Sequence, residues 1–293
     1  MKGERSMRKT LIVCAMAGLM ALMIGGCVQT EIVLKIKPDG TGTIEETVLM
    51  NQMVMTQMGA MFSQMGDGEL EISGEPGGMP ELFDEEKLKE RALKMGEGVR
   101  YVSGKPVQND QFSGYKAVYA FSDINTLQID ENPGSRMPMD MPGEEAGMDM
   151  NSGEQWLRFQ FVKGHPARLV IRRPESDEVI EQEVEEAESE ADESMETGDM
   201  EGMGDMMGMF FKDMKMRIVI DVQGQIVKTN ATHREGSEIT LMELDFGKIM
   251  ENPEKFQQLS RAKPKTMAET AEMVRDIPGI KVDMNEQMEI VFQ

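Results

Sequence analysis

Residues 31–50 read EIVLKIKPDGTGTIEETVLM, and two halves of this stretch carry the same pattern around a turn. Ile32, Leu34 and Ile36 alternate with Val33, Lys35 and Lys37, the period-2 signature of a half-buried strand. Ile44, Glu46, Val48 and Met50 repeat it on a return strand. Between them, Pro38-Asp39-Gly40-Thr41-Gly42 has the chemistry of a tight turn, with Pro fixing one φ and Gly supplying a positive one. The stretch predicts a β-hairpin.

The same periodicity predicts strands over Val99–Val107, Tyr115–Phe121, Gln155–Val162, Arg168–Arg172, Met216–Val222 and Ile239–Leu244. Gln223-Gly224 suits a tight turn into Ile226-Val227. Val282–Met284 and Met288–Phe292 read as a closing strand pair around Asn285-Glu286. Helices are expected at Asn51–Met65, where Val54, Met58, Met61, Phe62 and Met65 form one stripe, and at Asp84–Met95, which Gly96 and Gly98 end. Two more start at Asn252-Pro253-Glu254 and at the capping box Thr266–Glu269, the last stopped by Pro278-Gly279. About ten strands in hairpins with a few short helices predict an α+β fold, a largely antiparallel sheet with helices packed on one face.

The expected organisation is a signal segment over 1–26, an N-terminal α+β lobe over 27–130, and a Pro/Gly/Met-rich linker over 131–154. A strand pair over 155–174, an acidic disordered insertion over 175–205 and a C-terminal α+β lobe over 206–293 follow. The insertion rests on composition: from Glu175 to Met209 there is no Lys or Arg, while acids recur from Glu181 to Glu193.

The N-terminus supplies an address. Lys2, Arg5, Arg8 and Lys9 precede an apolar run from Leu11 to Ile24, closed by Gly25-Gly26-Cys27. A basic head, an apolar core of about 14 residues and small residues before a cut make a secretory signal. It is shorter than the roughly 20 apolar residues a spanning helix needs. Small residues directly before a cysteine resemble the bacterial lipobox, in which that cysteine is acylated and becomes the mature N-terminus. That implies lipidation at Cys27, with palmitate among the acyl chains. The expected location is the cell envelope, on the outer membrane or the outer face of the cytoplasmic membrane.

Cysteine usage agrees. Cys14 would leave with the signal and Cys27 would carry lipid, so the exported body has no thiol for a disulfide, a metal or a nucleophile. The formal charge is −22, and loss of residues 1–26 removes four cations and one acid, leaving the body at −25. Nucleic acid and anionic lipid both select basic surfaces. Nucleic acid is therefore excluded as a partner, and the lipid must do the anchoring.

A cysteine of this kind followed at once by an alternating strand, the turn Asp39-Gly40-Thr41-Gly42 and a return strand resembles LppM-type bacterial lipoproteins over Cys27–Met50. The resemblance implies an association with envelope lipids or glycolipids and supplies no catalytic residues. The methionine-rich segments depart from that pattern.

Methionine occurs 32 times. In the strands and the first helix it occupies apolar positions, where it fills gaps in a core. Met137, Met139, Met141, Met148 and Met150, and Met195, Met200, Met203, Met206, Met207 and Met209, are instead interleaved with Gly, Asp and Pro. Thioethers are soft ligands that select Cu(I) or Ag(I), which makes these linkers the candidate metal residues. The Asp205–Met216 stretch, with Phe210 and Phe211, is a candidate apolar surface.

Motifs for catalysis are thin. Asp149-x-Asn151-x-Gly153 opens like a calcium loop, but Glu154 and Gln160 stand where Gly and a bidentate Glu belong. His165 and His233 sit in no zincin spacing, Ser260-x-x-Lys263 lacks companion motifs, and Gly74–Gly78 lacks the Lys-Ser/Thr of a phosphate loop. The expectation is a non-enzymatic binding or structural module without a cofactor. Its partners would be the membrane, through its anchor, and a lipid or envelope protein. Soft-metal binding is the alternative.

Overall fold

The computed structural model describes residues 28–53, 56, 82–130, 156–173, 214–252 and 267–293. Among these residues the chain is mostly β with few short helices. In chain order the elements begin with β1 (Val28–Ile36), β2 (Gly42–Asn51), α1 (Glu85–Lys94), β3 (Arg100–Gln108) and β4 (Phe112–Phe121). A single 3-10 turn at Ile124–Thr126 leads to β5 (Gln128–Asp130), β6 (Trp156–Val162) and β7 (Ala167–Arg172). There follow β8 (Lys215–Val222), β9 (Ile226–Thr229), β10 (Arg234–Glu235), β11 (Glu238–Asp245), α2 (Phe246–Met250), α3 (Met267–Val274), β12 (Ile280–Val282) and β13 (Gln287–Phe292).

These strands form two sheets. The larger has eight strands in the order β10-β11-β8-β1-β2-β4-β3, with β12 also paired to β11. The smaller has five, in the order β5-β6-β7-β13-β9. One continuous apolar core draws on both: Ile32, Leu34 and Ile36 of β1 and Ile218 and Ile220 of β8 belong to the same cluster as Phe159 and Phe161 of β6, Leu169 of β7 and Ile290 of β13. The single sheet expected from the sequence is thus two sheets sharing one core.

The β1–β2 hairpin forms as its sequence dictates, with Val28 opposite Met50 and Ile36 opposite Gly42. Each turn residue has a distinct job. Asp39 Oδ1 accepts from the Thr41 N–H at 2.9 Å and from its hydroxyl at 2.8 Å, an Asx-type closure. Gly40 has φ +87° and lies under the Phe161 ring of the small sheet, where a Cβ would come within 2.7 Å. At Gly42 a Cβ would meet the Lys35 carbonyl at 1.9 Å. The tip is therefore a joint between the sheets, and the Ile124 N–H donates to the Gly40 carbonyl at 3.1 Å.

Helix α1 is capped by Asp84, whose carboxylate accepts from the N–H groups of Glu86 and Lys87, and it buries Leu88 and Ala92. Strands β3, β4, β6, β7, β8 and β11 lie where alternation predicts them, within a few residues at the ends. The helix expected at Asn51–Met65 starts at Gln52 and Met53, with Thr56 also helical, and the rest of it lies outside the described residues.

Three expectations are corrected. Val282–Met284 and Met288–Phe292 are not a closing pair: β12 ends at Val282 and joins β11, whereas β13 lies between β7 and β9 in the other sheet. Gln223-Gly224 does not turn β8 into a hairpin with β9. The Gln223 N–H is taken by the Ile36 carbonyl at 2.7 Å, Gln225 exchanges bonds with Gln293, and the chain changes sheets. Hairpins do not account for the whole large sheet, because β1 pairs with β8 in parallel, Gln29 opposite Lys215 through Ile36 opposite Val222. The same β1–β8 pairing joins strands on either side of residues 131–154, as does the β5–β6 pairing. Strands β5 and β10 and helix α2 are too short to show a period.

Candidate functional site

Glu46 sits on the inward face of β2, between Ile44 and Val48, with 1% exposure. Burying a carboxylate is costly unless it is paired and hydrogen-bonded. Here Arg91 of α1 donates to Oε1 at 2.6 Å, the Tyr119 hydroxyl donates to Oε2 at 3.1 Å, and Arg91 also donates to the Tyr115 hydroxyl at 3.0 Å. Burial works against the Arg91 charge, but Glu46, with Tyr115 and Tyr119 beside it, more than offsets it and holds the guanidinium protonated. Burial, with the Glu46 charge beside it, pushes the Tyr119 phenol well above its usual range. With both oxygens engaged, Glu46 is a fixed charge that latches α1 to the large sheet.

The outward face of the large sheet is a ladder of compensated charges. Arg217 reaches Glu31 at 2.9 Å, Glu238 at 3.2 Å and Glu243 at 3.8 Å, and Lys281 also reaches Glu243. At the end of this sheet where β1 begins, Asp245 is held by Lys215 at 3.2 Å and Lys248 at 3.5 Å.

The small sheet has a different outward face. Register places Gln128 opposite Arg158, Arg158 opposite Arg172, and Gln160 opposite Val170, so these side chains share one side. Phe159 and Leu169, at alternate positions, point into the core. A cleft of about 480 Å³ opens here, lined by Asn125, Leu127, Gln128, Arg158, Phe159, Gln160 and Arg172. Arg172 donates to the Gln160 side-chain oxygen at 3.2 Å. Asn125 fixes the cleft to β6, its oxygen accepting from the Phe161 N–H at 2.7 Å. Strand alternation makes Arg158, Gln160 and Arg172 outward residues, but their meeting depends on register, which no sequence motif announces.

Of the residues singled out from the sequence, Cys27 immediately precedes Val28, the first residue of β1, and itself lies outside the described residues. Met137, Met139, Met141, Met148, Met150, Met195, Met200, Met203, Met206, Met207 and Met209 also lie outside them, as do Phe210, Phe211, Ser260, Lys263 and Gly74–Gly78. Among the described residues no group of three His, Cys, Asp or Glu is placed to hold a metal ion. No helix among them is long and apolar enough to cross a membrane. His165 is exposed between β6 and β7, and His233 is half-buried just before β10. Gln160, the residue at the end of the calcium-like spacing, is part of a strand.

No protein-family model matches the chain, and no curated protein matches it. Among solved structures it shows a weak relationship to the folded domain of the Mycobacterium tuberculosis LppM protein, determined by NMR, with 13% identity, 76% of this chain and 85% of that chain covered, and a TM-score of 0.27.

Proposed function

We propose that this chain is a lipid-anchored cell-envelope protein, acylated at Cys27, whose two-sheet body is a non-enzymatic binding module at a membrane surface. The observation that carries the reading is the absence of any spacer: the cysteine that closes the apolar run is followed directly by Val28, which opens β1 and is 3% exposed. An acylated Cys27 would hold one end of the large sheet at the headgroups. The hairpin tip at Gly40 lies at the other end of β1, a nine-residue strand, which at roughly 3.3 Å per residue puts it about 30 Å along the strand from the anchor. Two or more acyl chains anchor stably where one does not, so the acidic body needs no electrostatic attraction to lipid.

Incorporation of labelled palmitate and membrane retention, compared between the wild-type chain and Cys27→Ser, test this. Labelling and retention should both vanish in the variant. Equal labelling and retention in the two proteins would remove the anchor and the proposed location together.

A further inference from the structure

Arg217 and Arg168 show how this acidic chain neutralises an arginine in the face of a sheet. The first has three glutamates within 4 Å, and the second reaches Glu289 at 3.0 Å. Arg158 and Arg172 are treated otherwise. They stand directly opposite each other on β6 and β7, where like charges repel. No described carboxylate pairs with either, and the described side-chain contact of Arg172 is the amide oxygen of Gln160. In a chain of net charge −22, acids to place beside them are plentiful. The two guanidinium groups border the cleft, together with Asn125, Gln128 and Gln160. With its oxygen accepting from Arg172, Gln160 keeps its NH₂ as a donor, and Gln128 adds another amide.

The geometry points to this cleft as a binding site for a phosphate group. Two planar forks and neighbouring amide donors match an anion with three or more acceptor oxygens and a charge of about −1.5 to −2. The site's place in the fold restricts the source of that phosphate. Asn125 and Gln160 each adjoin a residue that grips the hairpin tip, Ile124 through its bond to Gly40 and Phe161 through its ring. The cleft is therefore built onto the end of the hairpin remote from Val28. This second step rests on acylation at Cys27: the anchored chain presents the cleft away from its own bilayer, to a phosphate compound that is soluble or borne by the surrounding envelope.

Trp156, the single tryptophan, precedes Arg158 by two residues on the same strand and serves as the reporter. Its fluorescence in the full chain, in detergent, is titrated with pyrophosphate at constant ionic strength. Saturable binding is expected, weakened at least about tenfold in Arg158→Gln/Arg172→Gln and less in Arg158→Lys/Arg172→Lys, which keeps the charge but not the forks. Arg168→Gln should bind as wild type does, and unchanged melting temperatures establish that the variants fold. Equal affinity in the double glutamine variant, or a wild-type response reproduced by sodium chloride alone, would overturn the site. In a second arm the acylated chain is inserted into phosphatidylglycerol vesicles: pyrophosphate affinity equal to that in phosphatidylcholine vesicles supports the remote placement, and competition from the anionic headgroups refutes it. Failure of palmitate labelling would remove the placement and leave the titration standing.

Discussion

Replacing Arg91 with Met isolates the contribution of the latch between α1 and the large sheet. Methionine preserves much of the apolar stem of the arginine and removes its charge, leaving Glu46 at 1% exposure with the Tyr119 hydroxyl as its donor among the described contacts. Removing one partner of a buried ion pair costs about 3–5 kcal/mol, because the remaining charge is stranded in a poor solvent. The lower end applies here, since the Arg91 side chain is 27% exposed and water can reach part of the site. A loss of about 3 kcal/mol corresponds to a fall in Tm of roughly 6–12 °C for a folded body of this size. Urea unfolding followed by tryptophan fluorescence measures it, with m unchanged if the denatured state is unaffected. Combining Arg91→Met with Glu46→Gln removes the stranded charge and should recover most of the loss, a coupling that a double-mutant cycle reads directly. A cost below about 1 kcal/mol for Arg91→Met, or strict additivity in the cycle, would refute the idea that Glu46 is a buried charge held by the helix.

Gly42→Ala should lower stability by about 3 kcal/mol or prevent folding, because the new methyl group meets the Lys35 carbonyl, a backbone atom that cannot rotate away. Gly236→Ala, at φ +63° with nothing within 4 Å, should cost about 1–2 kcal/mol from backbone strain alone, and similar melting curves for the two variants would contradict the packing at the hairpin tip. Burial opposes ionisation of Asp245, but the Lys248 N–H and the Lys215 ammonium outweigh it and hold its carboxyl below the ordinary value of 3.8. A depressed folded-state value means stability that is present above the ordinary value and lost as pH falls through the depressed one, so Asp245→Asn should be less stable at neutral pH. Its unfolding free energy should also fall less steeply than wild type between about pH 4 and pH 2. Parallel pH profiles would show that the two lysines do not stabilise this end of the sheet.

Alternation in the sequence reports which way side chains point and says nothing about neighbours. This is why β1, β2, β4, β6 and β8 are legible one by one while their order is not. The residues of β8 read as a strand equally well beside any partner, yet they lie parallel to β1, with 186 positions between the paired Glu31 and Arg217. The segment at Gln223-Gly224 has the residues of a tight turn, and the Ile36 carbonyl and the C-terminal residue Gln293 redirect it into the second sheet. The cleft follows the same logic. Arg158 and Arg172 are outward by period, but their opposition is a property of the β6–β7 register. Alternation puts Glu46 on one face with Ile44, Val48 and Met50, whereas Arg91, forty-five residues later on a helix, meets it only by folding.

Local chemistry was enough for the hairpin and its turn and for the capped helix α1, because each depends on residues within a few positions of one another. The two-sheet core, the parallel β1–β8 contact, the buried Glu46–Arg91 pair and the opposed arginines depend on groups far apart in the chain. Their free energy arises from burial and register, quantities that exist once the chain has packed and that no stretch of residues carries alone.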